Sequence, residues 1–429
     1  MHYEKFQDGT VKCIEDEIPF EVPEGWSWAR LRDICMMSAG KSKSTVQIKS
    51  EPFEGSYPCF GGNGVRGYVD EYNQDGIFSI VGRQGALCGN INIAIGKFYA
   101  TEHAVVTTLF DGIDFKWSNY ILEALRLNNY ATGAAQPGLS VANILNVFVP
   151  VPPTQEQDRI GNSVYESLKI VEVLEQEKID LQKNIITAKT KILDLAICGK
   201  LVPQDPNDEP ASVLLERIRA EKEELIKHGK IKRDKKESVI FKGDDNSYYG
   251  IHLPDSWNWA SLREIALSIS DGSHNPPPNN GSGIPLLSAA NINDNSILMN
   301  EISRWITNEE WKIENQRTNI EVGDVLLTIV GSIGRSAVVQ NNNHFALQRS
   351  VAVIKPCLIN PLYLMHIVQS PQIQKWLTDN SKGTAQKGIY LNALSLMIIP
   401  IPPLAEQARI VELIHIAYKH LDLISNALL

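Results

Sequence analysis

Pro150-Val151-Pro152-Pro153-Thr154-Gln155-Glu156-Gln157-Asp158-Arg159-Ile160 returns 250 residues later as Pro400-Ile401-Pro402-Pro403-Leu404-Ala405-Glu406-Gln407-Ala408-Arg409-Ile410. Each copy closes a globular-looking stretch and opens one with helical periodicity. A chain that repeats its layout at this spacing holds two similar modules, each followed by a helix. That layout suits two separated targets better than one catalytic pocket.

Outward from the repeat, further landmarks recur in the same order. Val22-Pro23-Glu24-Gly25-Trp26-Ser27-Trp28 is answered by Leu253-Pro254-Asp255-Ser256-Trp257-Asn258-Trp259, at an offset of 231, so the second module carries 19 more residues internally. Gly82-Arg83-Gln84-Gly85 is echoed by Gly331-Ser332-Ile333-Gly334-Arg335, and Thr132-Gly133-Ala134-Ala135-Gln136-Pro137-Gly138-Leu139 by Lys382-Gly383-Thr384-Ala385-Gln386-Lys387-Gly388-Ile389. In each Trp-x-Trp, alternate residues of a strand share a face, so two buried indoles are favoured over an exposed platform for stacking bases. The runs 77–81 and 325–330 read as strands and the segments 118–130 and 360–378 as helices, giving mixed α/β modules.

After the first proline phrase the pattern becomes a heptad: Ile160, Val164, Ser167, Val171, Leu174, Lys178, Leu181, Ile185, Ala188, Ile192 and Leu195. Nine of these eleven are apolar, which predicts a coiled-coil seam. Thr154 with Gln157 resembles a capping box, and Gly199 ends the helix. Residues 155–198 then form a rod of roughly 65 Å. Ile410, Ile414, Ala417, Leu421, Ile424 and Leu428 give the second helix the same register. The two seams are expected to pack antiparallel. The second is shorter, so the first stays bare toward 160–175. The stretch 199–210 is turn-rich, a short amphipathic helix is expected over 211–228, and 227–236 carries six Lys/Arg against one Asp, which reads as a solvated linker with phosphate contact as the rival. The organisation is therefore 1–152, 153–200, 201–237, 238–402 and 403–429.

Composition bounds the rest. The 43% hydrophobic and 21% charged residues suit a soluble globular protein of two or three domains. No apolar run reaches the ~18 residues of a membrane span, and no signal peptide opens the chain. Six scattered cysteines without a C-x-x-C pair fit reduced cytoplasmic thiols rather than zinc or disulfides. The net charge of −9 argues mildly against nucleic acid. Catalytic motifs do not emerge. Asn275-Pro276-Pro277-Pro278 lacks the aromatic fourth residue of an adenine-methyltransferase loop, and Gly40-Lys41-Ser42 lacks the upstream glycine of a phosphate loop, Cys35 standing there. No metal-ligand spacing, nucleophile elbow or nucleotide fingerprint is present.

From Ile192-Leu193-Asp194-Leu195-Ala196-Ile197-Cys198-Gly199-Lys200-Leu201-Val202-Pro203-Gln204-Asp205-Pro206-Asn207-Asp208-Glu209-Pro210 to Gly229-Lys230-Ile231-Lys232, the chain resembles the central conserved region of type I restriction–modification specificity subunits. The doubled Trp-x-Trp and proline phrases resemble the borders of that family's target-recognition domains. The Gly61-Gly62-Asn63-Gly64-Val65-Arg66-Gly67-Tyr68 loop and Asp271-Gly272-Ser273-His274 recur in such domains. The resemblance implies two α/β target-recognition domains separated by long antiparallel coiled-coil helices, in a pseudo-two-fold internal repeat. Each domain would read one half of a split, asymmetric site in double-stranded DNA, with the helices as ruler. It further implies no catalysis and no cofactor on this chain. Two methyltransferase subunits and a restriction endonuclease–translocase subunit are the implied partners, and a bare seam would permit self-association. Base reading calls for Arg, Lys, Asn and Gln on loops or strand ends facing the groove. The candidates are Lys41, Lys43, Arg66, Arg83 and Gln84 in the first module, and His274, Asn275, Asn291, Arg335 and Lys387 in the second. A coiled-coil scaffold and a stand-alone DNA methyltransferase are the rival readings.

Overall fold

A computed structural model of the chain describes residues 2–133, 137–233, 247–383 and 387–428, residue 247 by its backbone alone. The basic residues 234–236 and residues 134–136 and 384–386 of the echoed loops lie outside the described residues. By its contacts the chain divides into two compact units, Met1–Glu177 and Lys178–Leu429.

In the first unit the proline phrase is a strand. Phe148–Val151 pairs antiparallel with Ser27–Arg30, setting Pro150 opposite Trp28. Trp26 precedes the strand, and the Trp28 indole is packed edge-on by Phe20 and Phe148, so neither is a free platform. One turn of helix, Leu31–Ile34, then delivers the chain to a six-stranded sheet in the order 35–39, 104–109, 74–82, 91–100, 57–61, 64–69. Successive residues of its strands face opposite ways. Val81 and Val105 pack with Leu31, Trp117, Leu122 and Ile144 on one face, and Ile80 and Val106 with Phe60 and Phe98 on the other. The expected helix at 118–130 is Phe115–Ala124 followed by a tighter turn, Leu127–Tyr130.

The second unit repeats the key backbone bonds of this wiring. Asn258–Ser261 pairs with Ile398–Ile401, setting Trp259 opposite Pro400. Leu31 N–H donates to Val147 O, and Leu262 N–H to Met397 O. Lys41 N–H donates to Ala100 O, and Ser273 N–H to Leu347 O. The parallel pair Cys59↔Tyr99 becomes Leu286↔Ala346. The sheet itself is broken: 266–271, 351–356, 325–328 and 336–338 form one sheet, and 305–306, 284–287 and 346–347 another. Most of the additional length falls between the counterparts Phe60/Leu287 and Arg83/Ile329, where the helix Asn308–Thr318 is inserted. The segment read as one helix over 360–378 is two, Pro361–Val368 and Pro371–Asp379, because Pro371 cannot supply the N–H that continuation needs.

Both modules end in the same clamp. Gln157 Oε1 accepts from Asp114 N–H at 2.9 Å while its Nε2 donates to Pro152 O at 2.9 Å; Gln407 accepts from Asn360 N–H at 2.9 Å and donates to Pro402 O at 3.1 Å. The capping box read at Thr154 is therefore corrected. Thr154 is the first helical residue, its hydroxyl donates to Gly112 O, and Gln157 ties the helix start to the module. The helix runs Thr154–Ile197, 44 residues, and stops where Gly199 takes a left-handed φ of 64°.

Within the second unit the end of this helix packs against Leu404–Ala427. Ile185, Leu193, Ile197, Ile410 and Ile414 are buried, Lys189 reaches Asp422 at 2.5 Å, and Tyr418 Oη donates to Lys189 O. Residues 189 and 418–422 meet while 193–197 lie with 410–414 in one core, so this pairing is antiparallel. Val171, Leu174 and Leu181 of the earlier seam are exposed.

Candidate nucleic-acid interface

The sheet ends bring distant loops together through backbone bonds. In the first module, Gly40 lies so close to the next strand that an added Cβ would sit 2.1 Å from Ala100 O; Gly272 holds the same place against Leu347 O, also at 2.1 Å. Only glycine permits that approach. Lys41-Ser42-Lys43 and Ser273-His274-Asn275 emerge from it as counterparts. A second loop follows the central strand. Arg83 N–H donates to His103 O, and Leu139 N–H to Arg83 O; Ile329 N–H donates to Ser350 O, and Ile389 N–H to Ile329 O. The counterpart of Arg83 is thus Ile329, and Arg335 corresponds to Asn90. The echo read between 82–85 and 331–335 is corrected by this bonding: Gly85 and Gly331 match, as do Gly89 and Gly334.

Arg66 and Gln84, 18 residues apart in sequence, line one cleft of about 540 Å³ with Gly61, Gly62, Asn63, Gly85 and His103. Asn63 lies in the glycine loop quoted above but was not itself a candidate, and no sequence cue marked His103. Lys41 and Arg83 are exposed beside this cleft's loops. Lys43 is tied down: its ammonium lies 2.5 Å from Glu71 Oε1 and 3.8 Å from Asp70 Oδ1, and the Glu71 bond raises its pKa above the ordinary lysine value.

In the second module His274 and Asn275 are exposed, with His274 Nε2 at 2.8 Å from Asp271 Oδ2. Arg317, on the inserted helix, donates from Nε to Asp271 O at 3.0 Å, pairs with the Asp271 carboxylate, and places a guanidinium nitrogen 3.3 Å from His274 Nε2. Arg349 is exposed beside them, its N–H bonded to Ser273 O. Neither arginine was a candidate from sequence, since 43 residues separate Arg317 from His274. Arg335 and Lys387 are exposed on the loops that flank the 325–328 strand. Asn291 is elsewhere: it is buried, its Oδ1 accepts from Ser288 N–H at 3.0 Å, and its Nδ2 donates to Glu301 O at 2.9 Å. Those bonds close a turn and leave its amide nothing for a base edge.

Other chemistry finds little footing. Among the described residues no group of three or more His, Cys, Asp or Glu could hold a metal ion, and no helix is long and apolar enough to cross a membrane. The cysteines are unpaired; burial pushes the Cys35 thiol up to about 12 and Cys357 to about 11, which leaves those two unreactive.

The sequence profile described as "Type I restriction modification DNA specificity domain" matches residues 23–190 and again 254–428. The chain belongs to this family. Its two matches begin at the Trp-x-Trp borders and run through the helices. The type I restriction enzyme EcoprrI specificity subunit of Escherichia coli is 39% identical over 195 residues, covering 44% of this chain and 43% of that one. The EcoEI specificity subunit of Escherichia coli is 24% identical across 99% of this chain and 83% of its own length. The chain thus spans less than half of the first relative and most of the second. The HsdS subunit from Thermoanaerobacter tengcongensis shares the fold at a TM-score of 0.55, with 17% identity over 95% of this chain and 93% of that chain.

Proposed function

We propose that this specificity-family chain is the DNA-recognition subunit of a type I restriction–modification complex, each module reading one half of a bipartite, asymmetric site. The observation that carries this reading is the pair of matched loop sets, 40–43 with 83–85 and 272–275 with 329–331, built by the same backbone bonds on two sheets. Conserved bonding with unlike side chains is what two readers of unlike half-sites need. The contacts are assigned to Lys41, Arg66, Arg83, Gln84, Asn63 and His103 in the first module, and to His274, Asn275, Arg317, Arg335, Arg349 and Lys387 in the second. Lys43 is assigned to shaping its loop. The chain carries no reaction itself; methyltransferase subunits and an endonuclease subunit supply the chemistry, and the helices set the gap.

Selection of random duplexes by the chain assembled with its methyltransferase subunit tests this. Two short elements at a fixed separation are expected. Absence of any sequence preference would leave a scaffold, and S-adenosylmethionine binding by the isolated chain would sink the non-catalytic assignment.

A further inference from the structure

In the second unit the segment after the long helix is fastened to one face of the module. Gly199 lies against Pro254 and Trp257, with an added Cβ 2.6 Å from Pro254 Cγ. Gln204 Nε2 donates to Glu406 Oε1 at 2.6 Å, and Trp257 Nε1 donates to Glu406 Oε2 at 3.0 Å. Arg409 holds Asp208 with both terminal nitrogens, at 3.2 and 2.5 Å. Ala211 N–H donates to Ser256 O, and the helix Ala211–Lys227 then buries Leu214, Leu215 and Ile218. Under this cover Trp257 is 1% exposed and Glu406 fully buried.

The first module carries the same receptor. Trp26 N–H bonds to Pro23 O as Trp257 N–H does to Pro254 O, and Trp26, Glu156 and Arg159 stand where Trp257, Glu406 and Arg409 stand. Here it is uncovered. Trp26 Nε1 is shut from solvent with no acceptor, and among the described residues neither Glu156 nor Arg159 has a side-chain partner. The Asp33 side chain is 54% exposed, where its counterpart Glu264 is 4% exposed and bonded to Arg219. Among the described residues Asp33 pairs only locally, with Arg32 at 3.8 Å and the Arg30 N–H at 2.8 Å. A buried donor without an acceptor is costly, and the unpaired charges of Glu156 and Arg159 define a complement.

We infer that the Trp26–Glu156–Arg159 face is a docking surface for a segment of another polypeptide with the chemistry of Gly199–Lys222. That segment has a left-handed glycine turn, an amide that reaches Glu156, a carboxylate on Arg159, and an apolar-faced helix. Charge complementarity and the occupied twin on the second module name the occupant. The inference does not depend on what the modules read.

The test is a fluorescein-labelled peptide of residues 198–224 titrated into the full chain, followed by anisotropy. Saturable binding is expected, weakened at least tenfold by Arg159→Asp and restored when the peptide carries Asp208→Arg. Because Arg159 is exposed, the variant keeps its fold; unchanged circular dichroism checks this. No binding overturns the inference. So does binding that ignores Arg159→Asp but follows Arg409→Asp, which would mean exchange at the second module. A concentration-dependent dimer of the chain alone, dissolved by Arg159→Asp, would name a second copy and overturn the foreign-partner assignment.

Discussion

Replacing Gln157 with leucine removes the clamp with little change in volume. Gln157 is 2% exposed, and its amide serves both Asp114 N–H and Pro152 O. Leucine leaves both buried groups unsatisfied at about 1–3 kcal/mol each, so a loss of roughly 2–6 kcal/mol is expected. Asp114 is also the N-cap of Phe115–Ala124, its carboxylate accepting from Trp117 N–H at 2.8 Å, so the loosened backbone weakens that cap as well. At about 2–4 °C per kcal/mol for a domain of this size, the first module's melting temperature should fall by roughly 5–20 °C. Calorimetry supplies the shift, and amide hydrogen exchange locates it: the Asp114 N–H should lose protection while Asn360 N–H, clamped by Gln407, keeps its own. Gln407→Leu should give the mirror result. Equal loss of protection at both amides, or a shift worth under about 1 kcal/mol, would refute the clamp as the source of stability.

Arg83→Ala should cost about 1–3 kcal/mol of binding and alter preference in one half-site only, read by competition among single-base site variants; uniform weakening would make Arg83 a phosphate contact. Gly272→Ala forces backbone apart at Leu347 O and should destabilise the second module by about 1–3 kcal/mol or more in denaturant melts, with the first module unaffected. Burial, with His415 adding to it, holds His366 near 4, below its unfolded value of about 6.5. A depressed histidine contributes stability above the unfolded value and loses it as pH falls toward the folded one, so about 3 kcal/mol should vanish between pH 6.5 and 4, and His366→Phe should flatten that slope. Single cysteines at 171 and 174 on the exposed seam should crosslink to a bound subunit in the assembled complex, whereas a cysteine at buried 193 should not.

The repeat and both helices were legible because proline, glycine and heptad spacing act locally. Pro150 and Pro400 mark strands whose partners lie more than a hundred residues away, yet the strands close where the phrase says. Loop equivalence was not legible. Glycines punctuate both 82–89 and 328–334, and similarity of letters matched 82–85 to 331–335, whereas the bonds to His103 O and Ser350 O match Arg83 to Ile329. An insertion upstream changes the offset without leaving a mark near the arginine. Asn291 misled for a related reason: an asparagine that caps a turn and one that reads a base share a composition, and only the bonds to Ser288 and Glu301 separate them. Arg317 stayed hidden because an inserted helix carries it to His274.

The acidic balance, which weighed against nucleic acid, is unevenly placed. Between Thr154 and Glu177 the long helix holds Glu156, Asp158, Glu166, Glu172, Glu175 and Glu177 against Arg159 and Lys169, a net −4 of the chain's −9. The loops 40–43, 61–66 and 83–85 of the same unit hold Lys41, Lys43, Arg66 and Arg83 and no acid. At physiological salt charges are screened beyond about 8 Å, so a phosphate beside those loops senses chiefly the charges within that reach. The loops decide what can lie against the sheet ends, and there Lys41, Arg66 and Arg83 offer positive charge while Glu71 and Asp70 hold Lys43.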